Sequence, residues 1–448
     1  MISKAIVFPL VPEDRQVPWL EQCSTQWKFL PVKYLCRINA RTLTETTPPD
    51  YAFQYIDISN VDSQGQYTAS EPMIFADAPS RARRILVDGD VLISTVRTYL
   101  RSITQVKKPE DLICSTGFAV LSSGSSIDPG FLAYWVRCSF FVDEVVARSK
   151  GVSYPAVNAS DIASLPLPAL DLKFQKRIAS FLDRETARID SLIEKKERQI
   201  ELLHEKRSSL ITHTVINGLN PKVRMQASGQ KWFANIPSHW KVRKLKHIAS
   251  AQLSSVDKLT EEGEVPVSLC NYTDVYNNDT IHEDMPFMQA TATSSEIARF
   301  SLSEDDVLVT KDSESWTDIA VPAFVPKNIP SVLCGYHLAQ IRAKRNILHG
   351  KYLFYSFCAR GINDQFRVES TGVTRYGLGK YSLDNGLFPL PPLKEQEEIA
   401  SYLDMQINQM DFLLGKTHNS IATLREYRSA LITAAVTGKI DVREEAPV

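Results

Sequence analysis

The stretch LPLPALDLKFQKRIASFLDRETARIDSLIEKKERQIELLHEKRSSLITHTV, residues 165–215, decides the architecture because the chain contains it twice. The second copy, FPLPPLKEQEEIASYLDMQINQMDFLLGKTHNSIATLREYRSALITAAV, spans residues 388–436. When Lys173 is aligned with Lys394, 19 of the 43 positions from there onward are identical without a gap. The chain is therefore a tandem repeat, and we expect both copies to fold alike.

Each copy carries a stripe of apolar residues separated by 4, 7, 4, 7, 3 and 7 positions, a spacing that keeps them on one helix face. The stripes are Ile178, Leu182, Ile189, Ile193, Ile200, Leu203 and Leu210, and then Ile399, Leu403, Met410, Leu414, Ile421, Leu424 and Leu431. So narrow a stripe is typical of a coiled-coil seam. Each helix therefore needs a partner, and the other copy is the nearest candidate.

The ends of both helices are marked by proline and glycine. Proline-rich segments at 165–168 and 389–392 favour extended backbone before each helix, and Gly218 and Gly438 fall where each helix should end. A helix of about 44 residues at about 1.5 Å per residue is roughly 65 Å long. Helices of that length are expected to act as spacers.

The sequence between the helices also repeats, more loosely. Residues 1–164 predict an α+β globule, with strands within 51–61, 85–96 and 113–123 and a helix over 131–148. Residues 235–387 replay the same order. The matching segments are WKFLPVKYL (27–35) with WKVRKLKHI (240–248), DGDVLIS (88–94) with EDDVLVT (304–310), and KGVSYP (150–155) with TGVTRY (371–376).

The predicted fold class is thus α+β, with two similar globules, two long antiparallel helices and a pseudo-two-fold tandem repeat. We expect the globules at opposite ends of the helix pair. The predicted boundaries are 1–164 for the first globule, 165–219 for the first helix, 220–234 for a linker, 235–387 for the second globule and 388–448 for the second helix with its tail.

Composition narrows the class of protein. The 448 residues include 51 Lys and Arg against 52 Asp and Glu, so the chain as a whole lacks the strongly basic charge typical of many nucleic-acid-binding proteins. Seven scattered cysteines without a CxxC pair indicate neither a disulfide framework nor a zinc ribbon. The first sixteen residues are too weakly apolar for a signal peptide, and no 18-residue apolar segment follows. We therefore expect a cytoplasmic protein that is not embedded in a membrane.

We find no motif for a catalytic or metal site. The glycine-rich segment GVTRYGLGKYS (372–382) lacks the spacing of a phosphate-binding loop, and the eight histidines lack the HExxH pattern. PPDY at 48–51 only faintly resembles a methyltransferase loop and has no glycine-rich cofactor loop upstream. The sequence therefore predicts a binding or scaffolding protein without a catalytic centre or metal.

Two diverged globules alternating with two repeated helices, each entered through LPLP or FPLPPL, resemble the specificity subunit of a type I restriction and modification enzyme. The helical landmarks are Gln175, Ile178, Leu182, Asp183, Asp190, Arg207, Ser208 and Leu210, with Gln396, Ile399, Leu403, Asp404, Asp411, Arg428, Ser429 and Leu431 in the second copy. The resemblance covers nearly the whole chain.

The resemblance implies that each globule is a target recognition domain, reading one half of a bipartite, asymmetric site in double-stranded DNA. The antiparallel helices would set the spacer between the halves and dock two methyltransferase subunits, and restriction subunits would join them. S-adenosylmethionine, ATP and Mg²⁺ would belong to those partners, with no cofactor in this chain.

Two segments in each globule are candidates for DNA contact: the run after the strand that ends near Ser94 or Thr310, and the loop before each proline-rich segment. Arginine is the commonest reader of guanine and also binds phosphate, so arginines beside aromatic residues suit a DNA groove. The candidates are Arg97, Thr98, Tyr99, Arg101, Ser153, Tyr154 and Asn158, and Lys311, Ser313, Trp316, Thr374, Arg375 and Tyr376. The alternatives are a solvated amphipathic strand and a tight turn with exposed polar side chains.

The shared RSxLIT segment that ends both helices predicts one type of partner bound twice, with Arg207, Ser208, Arg428 and Ser429 as docking candidates. An alternative for the whole chain is a non-catalytic coiled-coil adaptor that holds two protein-binding globules.

Overall fold

The computed structural model describes residues 18–62, 64–107 and 109–442. The segment 1–16, expected not to be a signal peptide, and the outer ends of the first and last predicted domains lie outside the described residues. The chain forms two compact units. The first unit contains residues up to 196 and those from 419 onward, and the second contains residues 197–418.

The globule of the first unit consists of two four-stranded sheets, one two-stranded sheet and short helices. Its strands are β1 (Phe29–Pro31), β2 (Cys36–Ile38), β3 (Ala52–Ile56), β4 (Met73–Ile74), β5 (Ala82–Ile85), β6 (Val91–Ser94), β7 (Ile103–Gln105), β8 (Leu112–Ser115), β9 (Phe118–Ser123) and β10 (Pro166–Pro168). The helices that begin in this unit are α1 (Val32–Leu35), α2 (Pro129–Arg137), α3 (Ser139–Ala147), α4 (Ala159–Ser164) and the long α5 (Leu172–Asn217). The sheets have the orders β2-β9-β6-β7 and β4-β3-β8-β5, and β3 and β8 run parallel.

The second unit repeats this topology with different residues. Its strands are β11 (Met225–Gln230), β12 (Phe233–Pro237), β13 (Lys241–Lys244), β14 (Ala249–Leu253), β15 (Val265–Cys270), β16 (Met288–Ala292), β17 (Ser301–Leu302), β18 (Asp306–Thr310), β19 (Asp312–Ser313), β20 (Pro322–Phe324), β21 (Ile329–Cys334), β22 (Leu338–Ala343), β23 (Tyr376–Gly377) and β24 (Leu387–Leu390). Its helices are α6 (Leu245–Ile248), α7 (Tyr272–Tyr276), α8 (Ser294–Phe300), α9 (Gly350–Cys358), α10 (Arg360–Glu369), α11 (Lys380–Asn385) and the start of the long α12 (Leu393–Val436).

The sheet orders β14-β22-β18-β20 and β16-β15-β21-β17 match those of the first globule strand for strand, including the parallel pair β15 and β21. Each proline-rich segment forms a strand that pairs with the strand following Trp27 or Trp240, β10 with β1 and β24 with β13. The looser repeat predicted between the globules is therefore a shared fold. The stretch expected to be a linker, 220–234, contains strand β11 and the start of β12, whose Phe233 is buried in the core of the second unit.

The single helix expected over 131–148 is two helices, α2 and α3, because the backbone of Cys138 is extended (φ −64°, ψ 148°). The first N–H of α3, on Ser139, donates to the hydroxyl of Thr433 from α12 at 3.4 Å. In the second unit, α9 and α10 are separated in the same way, and the N–H of Arg360 donates to the hydroxyl of Thr212 at 3.1 Å. The expectation of one helix was wrong, because a side chain distant in sequence accepts the otherwise unpaired N–H group at the start of the second helix.

The long helices α5 and α12 run antiparallel within each unit. In the first unit, Trp27 contacts Phe174 near the start of α5 and lies against Gly438 after the end of α12. In the second unit, Gly218 after the end of α5 lies against Glu395 near the start of α12. Gly218 and Gly438 both have φ of +75° and follow helices that end at Asn217 and Val436, as predicted.

Most of the predicted stripe residues are buried, and Ile200, Leu203, Leu210 and Leu424 are half-buried. In the second unit, Ile399, Leu403 and Met410 of α12 join a core that contains the stacked rings of Phe357 and Phe366. In the second unit the stripe is therefore not only a helix seam, because it also forms part of the core of the globule.

Candidate nucleic-acid interface

The two candidate segments of the first globule, predicted separately, form one surface. The N–H of Arg97 donates to the carbonyl of Pro155 at 2.8 Å, and the N–H of Val157 donates to the carbonyl of Thr95 at 2.9 Å. These bonds place the run after β6 beside the loop 150–156. The pairing joins residues about 60 positions apart, so no local sequence signal marks it.

The loop 150–156 is closed by two reciprocal backbone bonds between Lys150 and Ala156, at 2.8 and 2.9 Å. Within it, Tyr154 is 62% exposed, and the guanidinium of Arg97 stacks 4.6 Å from the centre of its ring. A cation over an aromatic face is attracted by the ring quadrupole, so the pair holds both groups in place at the surface.

The other candidates of the first globule divide into exposed and internal groups. Tyr99 and Ser153 are exposed, whereas Thr98 is buried and its hydroxyl lies 2.7 Å from that of Ser149. Arg101 is paired with Asp143 at 3.2 Å, and Asn158 caps helix α4. Thr98 is therefore the one buried candidate, and Arg97, Tyr99, Arg101, Ser153, Tyr154 and Asn158 are exposed, with Arg101 and Asn158 also making contacts within the chain.

The second globule joins its two candidate segments in the same way. Strand β19, which follows Lys311, pairs antiparallel with β23, and the N–H of Leu378 donates to the carbonyl of Lys311 at 2.7 Å. Trp316 is 50% exposed, and Thr374 is exposed. The equivalent loop is closed by reciprocal bonds between Thr371 and Gly377, at 3.1 and 2.9 Å.

The charged groups of this second surface contact one another directly. Arg375 donates to the carboxylate of Asp312 at 2.7 Å and lies 2.9 Å from Nδ1 of His337. The ammonium of Lys311 lies 4.2 Å from the centre of the Tyr336 ring, and its partial burial lowers its pKa although Asp312 opposes the shift. The described residues of the first globule form no such cluster at the equivalent surface, so the two surfaces present different chemistry.

The remaining candidates of the second globule are less exposed. Ser313 is buried, with its hydroxyl 3.2 Å from that of Tyr272, and Tyr376 is half-buried in β23. Tyr272 stacks on Tyr276 with ring centres 5.4 Å apart. Sequence reasoning missed Asp312, His337 and these tyrosines, because their relevance depends on contacts between strands distant in sequence.

The two arginines predicted to dock partners are used within the chain. Arg428 of α12 is 9% exposed and binds Asp190 of α5 at 2.8 and 3.2 Å. Arg207 of α5 pairs with Asp279. Burial by itself lowers the pKa of Arg207, but the carboxylates of Asp279 and Asp411 raise it, so that the pKa lies above its usual value. Among the docking candidates, Ser429 is exposed and Ser208 is half-buried.

No group of three His, Cys, Asp or Glu side chains that could hold a metal ion occurs among the residues that the structure describes. A search of the same residues finds no helix long and apolar enough to cross a membrane.

Comparison with known proteins gives one consistent result. Residues 237–421 match the family model described as the type I restriction modification DNA specificity domain. The chain is 22% identical over 378 residues to the putative type I restriction enzyme MjaX specificity subunit of Methanocaldococcus jannaschii, covering 81% of each chain. It is 22% identical over 340 residues to the EcoKI specificity subunit of Escherichia coli, covering 74% of this chain and 70% of that protein.

Two solved structures share the fold. One is a chain from a study of complex assembly and conformational transition of the type I R-M system, with a TM-score of 0.74 at 21% identity over 93% of this chain and 99% of that one. The other is the HsdS subunit from Thermoanaerobacter tengcongensis, with a TM-score of 0.53 at 20% identity over 93% of this chain and 98% of that one.

Proposed function

We propose that this chain, which belongs to the specificity subunits of type I restriction and modification enzymes, reads one half of a bipartite, asymmetric DNA target with each of its two globules. The chain is the non-catalytic DNA sequence-recognition subunit of such an enzyme. Its methyl transfer and cleavage chemistry belongs to other subunits, with S-adenosylmethionine, ATP and Mg²⁺ as their cofactors.

One observation carries the proposal for two separate readers: both globules join the same two segments into one exposed surface, but with different side chains. The first presents Arg97 stacked on Tyr154, and the second presents Arg375 among Asp312 and His337. Arginine beside an aromatic ring or a hydrogen-bonded acceptor provides both phosphate contacts and base contacts. Different groups on a common backbone favour different bases, hence an asymmetric target.

We further propose that the long antiparallel helices set the spacer between the half-sites and dock two methyltransferase subunits. The support is that both units are built alike, each from one globule, part of α5 and part of α12. A surface that occurs once per unit offers two equivalent docking positions, which Ser208 and Ser429 would share. Restriction subunits would join this assembly.

The test is binding of the purified complex with its methyltransferase subunits to randomised duplexes, with selection and sequencing of the retained DNA. We expect a split consensus and an affinity that falls steeply with salt, because bound phosphates release counterions. If the arginines contact bases, Arg97→Gln should relax the sequence preference of one half-site and Arg375→Gln that of the other, each with a loss of binding free energy of roughly 1–3 kcal/mol. If they contact phosphates, each variant should weaken binding to all sequences about equally and lower the salt slope by about one.

Matched controls are Arg37→Gln and Arg243→Gln, which change exposed arginines on β2 and β13 away from these surfaces. Retention without any sequence preference would refute the recognition proposal and favour the adaptor function.

Native mass spectrometry of the saturated complex should give two methyltransferase subunits per chain. A single one would refute the proposed double docking.

A further inference from the structure

Val152 and Val373 are the most exposed large apolar side chains in the described part of the chain, with exposures of 101% and 92%. They occupy equivalent positions, in KGVSYP of the first globule and TGVTRY of the second. Single apolar residues on a surface need no special explanation. An explanation is needed, however, when the same residue type is fully exposed at the same place in two otherwise diverged globules.

The loops that carry these valines are held in a defined shape. Gly151 and Gly372 precede them with φ of +112° and +146°, where a side chain is strained. A Cβ on Gly151 would lie 3.2 Å from the carbonyl oxygen of Tyr154, and one on Gly372 would lie 1.8 Å from that of Arg375. Each loop is therefore folded tightly against itself, and its valine points away from the protein.

A fully exposed valine buries no surface in the folded chain, so packing within the chain does not account for it. Its surroundings indicate what it contacts. Lys150 and the Arg97–Tyr154 stack flank the first tip, and Thr374 and Arg375, whose guanidinium is paired with Asp312, flank the second. A cationic, hydrogen-bonding rim around a small apolar tip is complementary to DNA, whose phosphates surround base edges.

The major groove offers one apolar group on its base edges, the C5 methyl of thymine. We propose that Val152 and Val373 each place their isopropyl group against a thymine methyl, one in each half-site, and thereby select thymine over cytosine at that position. This inference rests on the proposed function and adds the class of base that each loop recognises.

The experiment replaces each thymine of the selected target in turn by deoxyuridine, which removes only the C5 methyl. Affinity of the complex with its methyltransferase subunits is measured on every duplex. We expect one replacement in each half-site to weaken binding about three- to five-fold, the effect of one buried methyl group. Val152→Ala should abolish this sensitivity in one half-site only, and Val373→Ala in the other.

Val87→Ala and Val368→Ala are the matched controls, because these valines are 39% and 61% exposed outside the two loops. They should keep both sensitivities. If no deoxyuridine weakens binding of the wild-type complex, or if the alanine variants at 152 and 373 retain the sensitivity, the inference is wrong. Loss of a methyltransferase subunit from either variant in native mass spectrometry would also overturn it, since the tip would then contact protein. Unselective binding by the wild-type complex would instead refute the proposed function itself.

Discussion

The contacts of Gln175 and Gln396 explain why a glutamine occurs at this position in both repeats. Both are completely buried near the starts of α5 and α12. Gln396 accepts from the N–H of His349 at 2.9 Å and donates to the carbonyls of Ile347 and Pro391 at 3.0 and 2.9 Å. Gln175 makes the equivalent three bonds in the first unit. Each glutamine thus joins its helix to the loop before α2 or α9 and to the backbone just ahead of its own helix.

Gln396→Met should destabilise the protein by about 2–4 kcal/mol, because it keeps the side-chain volume but leaves three buried backbone groups unpaired. The control is Gln409→Met, an exposed position on the same helix. The comparison uses thermal unfolding of the chain with its partners. Equal midpoints for the two variants would show that the buried bonds contribute nothing net.

The cysteines give a second prediction at this scale, which concerns pH. Burial raises the pKa of all seven thiols, to about 11 for Cys23 and about 12 for Cys36 and Cys138. The thiolate is the reactive form, so iodoacetamide at neutral pH should label the native protein far more slowly than the chain in guanidinium. Rapid labelling of the native protein would contradict the buried environments.

The sign of the accompanying stability change follows from the same shifts. Between about pH 9 and 12 the folded chain retains thiol protons that the unfolded chain has lost. The free energy of unfolding should therefore fall as the pH rises through this range, because the folded state binds more protons.

At the scale of elements, the end of each long helix completes the globule encoded by the other half of the chain. Thr433 accepts the first N–H of α3, and Thr212 accepts the first N–H of α10. The Arg428–Asp190 pair adds a link between α12 and α5 in the first unit. The shared RSxLIT segment is thus explained in part by contacts inside the chain, in addition to any partner that it docks.

The helix pairing can be tested by reversing this ion pair. Asp190→Arg should lower the thermal midpoint, because it places a cation beside Arg428 and the half-buried Arg137, whose pKa is already lowered by burial and by Arg428. Adding Arg428→Asp should recover part of the loss. Arg198→Asp, which disrupts the exposed Arg198–Glu201 pair of α5, is the control for charge reversal at a solvent-exposed ion pair. A double variant as unstable as the single one would show that the pair does not couple the helices.

For the whole molecule, the two helices are the only long elements in the described chain that continue from one compact unit into the other. Each is followed by a positive-φ glycine and starts after a proline-rich strand. Their lengths, 46 and 44 residues, are nearly equal. These features support the proposal that helix length sets the spacer of the DNA target.

Insertion of four helix-forming residues after Gln199 and four after His418 lengthens both helices by about 6 Å and turns their far ends by about 40°. B-DNA rises about 3.4 Å per base pair, so we expect the variant complex to keep both half-site sequences and prefer a spacer longer by one or two base pairs. Methylation mapped across a genome measures this. An unchanged spacer would show that something other than helix length sets the distance, and altered half-site bases would show that the globules do not read independently.

The sequence by itself determined the features that depend on local or periodic signals: the tandem repeat, both long helices with their glycine ends, the buried stripes and the matching order of the globules. Helical periodicity, proline and glycine act within a few residues, so they can be recognised without a structure. Only the tertiary structure decided which candidate residues share a surface. Arg97 meets Tyr154, Arg375 meets Asp312, and the helix expected over 131–148 divides at Cys138. Arg428 binds Asp190 across 238 positions of sequence. Such contacts depend on strand pairing and helix packing over long sequence separations, which no local pattern encodes.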